Sequence, residues 1–185
     1  MKLTVSKRAG EKKSELTQLR YQGEIPGAIY MKGRECEKVA LSGDEFSAVI
    51  RELPRGHLPT TIFDLKYQGK AVKAIIKDIQ YHPTTYKVLH LDFLMLDDAS
   101  PVAIQVPVTF VGETECVGVK LGGFVRPVKR HIKVRCFPKD IPSDFKLDIR
   151  NLSIGESKRI ADIDFGHAVR PLAQSKEIVV VIAKR

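Results

Sequence analysis

The sequence predicts a mainly β protein in two parts, and three observations predict it. Most apolar residues fall in short runs rich in Val, Ile, Tyr and Thr, each bounded by turn-forming residues. Helical periodicity is confined to residues before Pro54. The stretch Asp97-Asp98-Ala99-Ser100-Pro101 separates two apolar runs and reads as a short linker. We therefore expect one domain over residues 1–95 and a second over 96–185.

In the first part the predicted strands are Leu3–Lys7, Gly27–Met31, Lys38–Leu41, Thr60–Tyr67, Lys70–Ile79 and Tyr86–Leu94. YQGKA reads as a hairpin around Gln68-Gly69. HPTT, at 82–85, is the next turn, because Pro83 stops the strand and holds His82 extended. Ser14–Tyr21 fits a short helix with Ser14 as its cap and Leu16 and Leu19 on one face. Ser42–Leu53 fits a better one: Ser42 and Glu45 form a capping box, and Phe46, Val49, Ile50 and Leu53 recur at helical spacing. Pro54 ends it.

Beyond the linker, strands are predicted at Val102–Val111, Val128–Phe137, Phe145–Ile149, Ser157–Ile160, His167–Leu172 and Glu177–Ala183. FPKDIP (137–142) and NLSIGES (151–157) are turns, and GVKLGG (118–123) reads as another. Short strands at regular spacing without long helices predict an all-β second domain.

Composition narrows the function. Hydrophobic residues make up 43% of the 185 and charged residues 29%, which predicts a globular chain rather than a disordered one. The longest apolar run, Ile178–Ala183, is far too short for a membrane helix. The start, MKLTVSKRAGEKK, has no apolar stretch behind its basic residues and does not read as a secretory signal, which also empties the Asn151-Leu152-Ser153 sequon of meaning. Cys36, Cys116 and Cys136 form no C-x-x-C pair, so we expect no disulfide scaffold and no zinc site, but three core cysteines in a reducing cytoplasm. The net charge of +9 favours a polyanionic partner. It is concentrated in two blocks. Lys2, Lys7, Arg8, Lys12, Lys13 and Arg20 outnumber Glu11 and Glu15 near the start. Lys120, Arg126, Lys129, Arg130, Lys133 and Arg135 stand without an acid between 120 and 135.

The chemistry-bearing residues cluster in Ile75–Leu96, which holds Gln80, His82, His90 and Asp92. On a strand, Leu89, Leu91, Phe93 and Met95 point one way and His90 and Asp92 the other, roughly 7 Å apart. A hydrolase built on His90 and Asp92 would need a nucleophile or metal, and no G-x-S-x-G, H-E-x-x-H or phosphate-loop sequence is present. A structural His–Asp hydrogen bond is the plain alternative. The third reading is RNA recognition. A β-surface can reach the wide, shallow minor groove of an RNA helix. Asp92 accepts from base or ribose donors, while His90 and Gln80 donate or accept. Arg8, Lys12, Lys13 and Arg20 would hold phosphates, which position without reading sequence.

The same residues carry a family resemblance. RYQGEIPGAIY (20–30), followed by KDIQYHPTTYKVLHLDF (77–93), resembles the L twenty-five family of bacterial large-subunit ribosomal proteins, which bind 5S ribosomal RNA. VPVTFVGETECVGVKLGG (106–123) and CFPKDIPSDFKLDIRNLSIGES (136–157) resemble the extra domain of the long, Ctc-type form, so the likeness covers nearly the whole chain. The resemblance implies a six-stranded β-barrel with short helices over 1–95, a mostly β second domain, and a place in the central protuberance among other large-subunit components. It implies a structural, non-enzymatic role with no cofactor, membrane or small-molecule substrate. Carried over, the RNA contacts are Arg8, Lys13 and Arg20; Tyr30, the tyrosine after I-P-x-x-I; and His90 with Asp92, with Lys77 on the strand before the turn. Gln80 and His82 belong to the same stretch, though His82 before Pro83 has a turn-shaping role open to it.

This chain departs from the family pattern in one place. Family members commonly carry glycines and consecutive arginines before the position of Arg20; here KKSELTQLR has Leu16, Thr17 and Gln18, with Glu15 adding a negative charge. Fewer phosphate contacts are expected from this segment. Lys129, Lys133 and Arg135, read as one strand face with His131 among them, are candidates to compensate by touching RNA or a neighbouring protein. A conditional, stress-related ribosome-binding factor is the alternative within the RNA-binding class.

Overall fold

Six strands of the first hundred residues close on themselves. They are β1 (Lys2–Lys7), β2 (Glu24–Tyr30), β3 (Glu37–Ser42), β4 (Phe63–Tyr67), β5 (Lys70–Tyr81) and β6 (Val88–Met95), in the barrel order β1-β3-β2-β6-β5-β4. The β1–β4 and β2–β6 pairings are parallel and the rest antiparallel. Closure removes the free edges that would otherwise template another strand. The computed structural model describes residues 1–8, 12–31, 33, 35–67 and 69–184, which divide into two units, Met1–Ser100 and Pro101–Arg185. Among the described residues, no helix is long and apolar enough to cross a membrane.

The barrel follows from alternation. In β1, Leu3 and Val5 are buried while Thr4 and Ser6 face out; in β6, Leu91 and Phe93 are fully buried. With Phe46, Phe63, Leu65 and Ile29 they fill the interior. Gly27 lets β2 approach β6: a Cβ there would lie 2.8 Å from the Leu91 carbonyl oxygen, which a strand backbone cannot yield.

Helix α2 (Gly43–Glu52) starts as the capping signal predicts, with the Ser42 Oγ accepting from the Glu45 N–H at 3.5 Å. The other half of the box is diverted. The Glu45 carboxylate accepts from the Thr4 N–H at 3.2 Å and pins α2 to β1. Helix α1 (Lys13–Tyr21) begins a residue before the predicted start; its N-cap is Lys12, without a side-chain cap bond, so Ser14 is not the cap.

Two strands of this unit, β4 and β6, start later than predicted. Thr60 belongs to a short 3-10 turn, Leu58–Thr60, where its hydroxyl donates to the His57 carbonyl at 2.9 Å, and β4 starts only at Phe63. Of the predicted Gln68-Gly69 turn, Gln68 lies outside the described residues; Gly69 has φ +77°. Tyr86 is not in β6. It ends the 82–86 turn with its N–H on the His82 carbonyl at 2.9 Å and φ 54°, the left-handed conformation that closes such loops and that a tyrosine adopts at a cost. The residue is 77% exposed, so little packing compensates. Tyr86→Gly should therefore raise stability, by a few tenths to about 1 kcal/mol, in urea unfolding; a clear loss would show that the ring is held by contacts.

The second unit has two sheets. One has the order β10-β7-β9-β12, from β7 (Val102–Val111), β9 (His131–Cys136), β10 (Phe145–Asp148) and β12 (Arg170–Pro171). The other has the order β11-β13-β8, from β8 (Gly123–Pro127), β11 (Ser157–Arg159) and β13 (Ile178–Lys184). The predicted Val128–Phe137 strand is shorter, and β8 before it was missed because its glycine and proline ends mask it. The predicted His167–Leu172 strand contracts to two residues. GVKLGG is more than a turn: Val117–Lys120 form a single helical turn, α3, before β8. At Gly118 a Cβ would meet the Leu152 carbonyl oxygen at 3.0 Å and Ile182 Cγ2 at 2.7 Å. Phe145 and Phe165 pack edge to face with ring centroids 4.9 Å apart. Cys116 and Cys136 are buried as expected, but Cys36 is exposed; all three are free thiols.

Lys129 also departs from its predicted place. It precedes β9, its N–H donates to the Val179 carbonyl, and its ammonium pairs with the Glu177 carboxylate. The strand face therefore carries His131, Lys133 and Arg135 but not Lys129.

Candidate nucleic-acid interface

The arrangement of β5 against β6 decides which side chains share the outer barrel face. Up to Ile76, β5 pairs in simple register, with Ile76 opposite Phe93 and both buried. The register then shifts, so that Asp78 rather than Lys77 stands opposite Asp92, and Gln80 opposite His90. Lys77 is the extra residue of a β-bulge. Because side chains alternate, a one-residue slip exchanges faces. Without the bulge Asp78 and Gln80 would point into the barrel. With it they join Asp92 and His90 outside. The predicted neighbours Gln80, His90 and Asp92 are thus brought together, and Lys77 is exposed beside them.

His90 Nδ1 lies 3.0 Å from Asp92 Oδ1, with the two side chains 25% and 29% exposed. The pair is turned outward and stays accessible. The carboxylate oxygen accepts in this contact, so Nδ1 is its donor and Nε2 is the remaining polar atom of the ring. Tyr30 completes the group from β2. Ala28 stands beside Asp92 and Tyr30 beside Leu94, which sets the phenol on the same outer face. Burial pushes the Tyr30 phenol above its ordinary range, and the nearby Asp92 and Asp78 carboxylates add to this, so at neutral pH it is a hydroxyl donor.

Asp78 was not singled out from the sequence. It lies in the quoted KDIQYHPTTY stretch, but strict alternation from Ile76 would have turned it inward; only the bulge brings it out. Two carboxylates directly opposite on one face repel each other. Among the described residues, no group of three or more metal-ligating side chains accompanies them. The face is therefore rich in acceptors and suited to partners that bring hydrogen-bond donors, such as ribose hydroxyls and guanine edges.

His82 is placed differently. Its Nδ1 faces the Thr84 N–H at 3.4 Å, the Thr85 N–H at 3.3 Å and the Thr84 hydroxyl at 3.1 Å, so that nitrogen organises the turn. Arg20 reaches from the end of α1 to β6, where Nε and Nη2 both donate to the Leu89 carbonyl, at 3.2 and 3.1 Å. The bond ties α1 to the strand that carries His90 and leaves three of the five guanidinium donors for a ligand. Arg8 lines a small cleft with Glu15, Gln18 and Leu19 of α1. Lys12 and Lys13 stand at the uncapped N-terminus of α1, where free backbone N–H groups and the positive end of the helix dipole already favour an anion. Glu15, in the first turn, offsets part of that field.

Residues 3–93 match the model of the Ribosomal L25p family, and residues 101–185 match that of the ribosomal protein TL5 C-terminal domain. The chain belongs to the ribosomal L25p family. Large ribosomal subunit protein bL25 of Chlamydia trachomatis serovar A is 40% identical over the full length of both chains. Its counterpart in Chlamydia abortus is 40% identical and that in Chlamydia pneumoniae 36%, again over both full lengths. A ribosomal family and the closed barrel are both as the resemblance implied. The chain is a ribosomal protein and not an enzyme, so His90 and Asp92 need no nucleophile beside them.

Proposed function

We propose that the first domain binds 5S ribosomal RNA in the central protuberance of the large subunit, holding it through the outer face of β2, β5 and β6. The observation that carries this reading is the outward His90–Asp92 pair, set beside Gln80 and Tyr30 by the bulge at Lys77. These groups are fixed by the barrel before any ligand arrives, so little ordering cost falls on binding. His90, Asp92, Gln80 and Tyr30 read base edges and ribose hydroxyls across a shallow minor groove. Arg8, Lys12, Lys13, Arg20 and Lys77 supply phosphate contacts around them, and His82 shapes the turn between the two strands. We take the domains as 1–95 and 96–185, with the 97–101 linker counted in the second, and other large-subunit components as the remaining partners.

Cations and readers should separate by experiment. Arg8→Ala should weaken 5S ribosomal RNA and unrelated RNA by similar factors. It should also lower the slope of log affinity against log salt by somewhat under one unit, about 0.9 as for a contact to B-form DNA. Filter binding across a salt series checks this. A loss confined to 5S ribosomal RNA would overturn the assignment of Arg8 to the backbone.

A further inference from the structure

A second charged surface lies on the other unit, and the reading above does not use it. On β9, Ile132, Val134 and Cys136 are buried, which turns His131, Lys133 and Arg135 to the opposite face. On β12, Arg170 stands directly across from Arg135. On the other side of β9, Gln105 of β7 stands across from Lys133. Beyond it Lys146 of β10, paired with Thr109, is exposed on this same face. Four permanent cations, a histidine and neutral hydrogen-bonding side chains therefore share one side of a four-stranded sheet.

The arrangement is costly in isolation. Arg135 and Arg170 are like charges opposed on neighbouring strands, which destabilises a sheet. Among the described residues, no carboxylate lies within ion-pair distance of Lys133, Arg135, Arg170 or Lys146. The acid at the margin, Asp148, accepts from the Arg150 N–H at 2.9 Å and lies 3.8 Å from its Nε, so its charge is already engaged. Lys129, the cation predicted for this face, is instead neutralised by Glu177. What remains is a sheet face whose repulsion a polyanion would relieve. Lys133 and Arg135 project about 7 Å apart along the strand, and Arg170 lies one strand spacing away, about 5 Å. Such a grid follows a phosphate backbone, with Gln105 central and able to meet a ribose hydroxyl.

We propose that this face, centred on Lys133, Arg135 and Arg170, is a second RNA-binding surface that grips the backbone of ribosomal RNA other than the 5S molecule. It is a sequence-independent electrostatic clamp. It offsets the thinner cation supply before Arg20, and it binds its RNA while the first domain holds a different one.

The test uses the full-length chain, isolated 5S ribosomal RNA, and large subunits prepared without this protein. The triple variant Lys133→Ala, Arg135→Ala, Arg170→Ala should bind isolated 5S ribosomal RNA as the parent does. It should leave subunits at lower salt, with a log–log salt slope smaller by roughly 2–3. A charge-keeping triple, Lys133→Arg, Arg135→Lys, Arg170→Lys, should restore retention, which a merely misfolded surface would not do. A benzophenone crosslinker at Gln105 should form an adduct with RNA on the subunit. Retention of the alanine triple at every salt concentration would overturn the proposal, and so would an adduct with protein alone. Failure of the first domain's reading would show separately, as no binding of the parent chain to isolated 5S ribosomal RNA.

Discussion

Asp92→Ala will weaken binding to 5S ribosomal RNA by about 1–3 kcal/mol, roughly 5- to 150-fold, while unrelated RNA binds as well as before or slightly better. The opposite signs follow from what a carboxylate does. It cannot neutralise a phosphate, and near a polyanion its charge is a liability. Its value lies in accepting from base or ribose donors and in fixing the His90 ring 3.0 Å away. Its removal takes away one reader and frees the imidazole to rotate. The salt slope should stay unchanged, because no counterion release is lost. The fold should not suffer either. Asp92 stands opposite Asp78, so relief of that repulsion offsets the lost contact to His90, and Asp92→Asn should be at least as stable as the parent in urea. Paired gel-shift and denaturation measurements check both halves. Equal losses on specific and unrelated RNA would show that Asp92 does not read.

Most of the first domain was legible because its strands are half-buried and alternate, and because α2 carries both a capping serine and a helical stripe. What escaped was set by tertiary pairing. The bulge at Lys77 leaves only a faint local sign: in KAIIKDIQ two polar residues, Lys77 and Asp78, separate Ile76 from Ile79, and the slip becomes plain only once β6 is aligned against it. Hence His90 and Asp92 could be placed on one face from the sequence, while Asp78 could not be placed beside them. The strand preference of tyrosine places Tyr86 in a strand, yet loop closure at His82 outweighs that preference. In the second domain β8 and β12 are short or interrupted by proline, where propensity says little. Lys129 shows a further limit. Spacing from Lys133 suggests a shared face, but the strand begins only at His131, and Glu177, 48 residues away in sequence, claims the ammonium.

Phe93→Ala will destabilise the first domain by about 3–5 kcal/mol and leave the second untouched. Phe93 is wholly buried opposite Ile76, just before the β5 slip, and its ring also packs where β2 approaches at Gly27. Truncation opens a cavity at the junction of the three strands that carry the reading face. Against a typical domain stability of 5–15 kcal/mol this loss is large, but it need not unfold the domain at low temperature. The sequence offers a selective probe. All five tyrosines, Tyr21, Tyr30, Tyr67, Tyr81 and Tyr86, lie in the first unit, and there is no tryptophan. Tyrosine fluorescence therefore reports the barrel alone, while far-ultraviolet circular dichroism reports both units. In urea the fluorescence midpoint should fall sharply, and the part of the dichroism change belonging to the second unit should not move. A parallel fall of both would show that the units unfold together. Where the variant is still folded, affinity for 5S ribosomal RNA should drop further than stability alone requires, because His90 and Asp92 sit on the opposite face of the same strand and depend on its register. Unchanged affinity in the folded variant would mean that rigid presentation by the barrel contributes nothing to recognition.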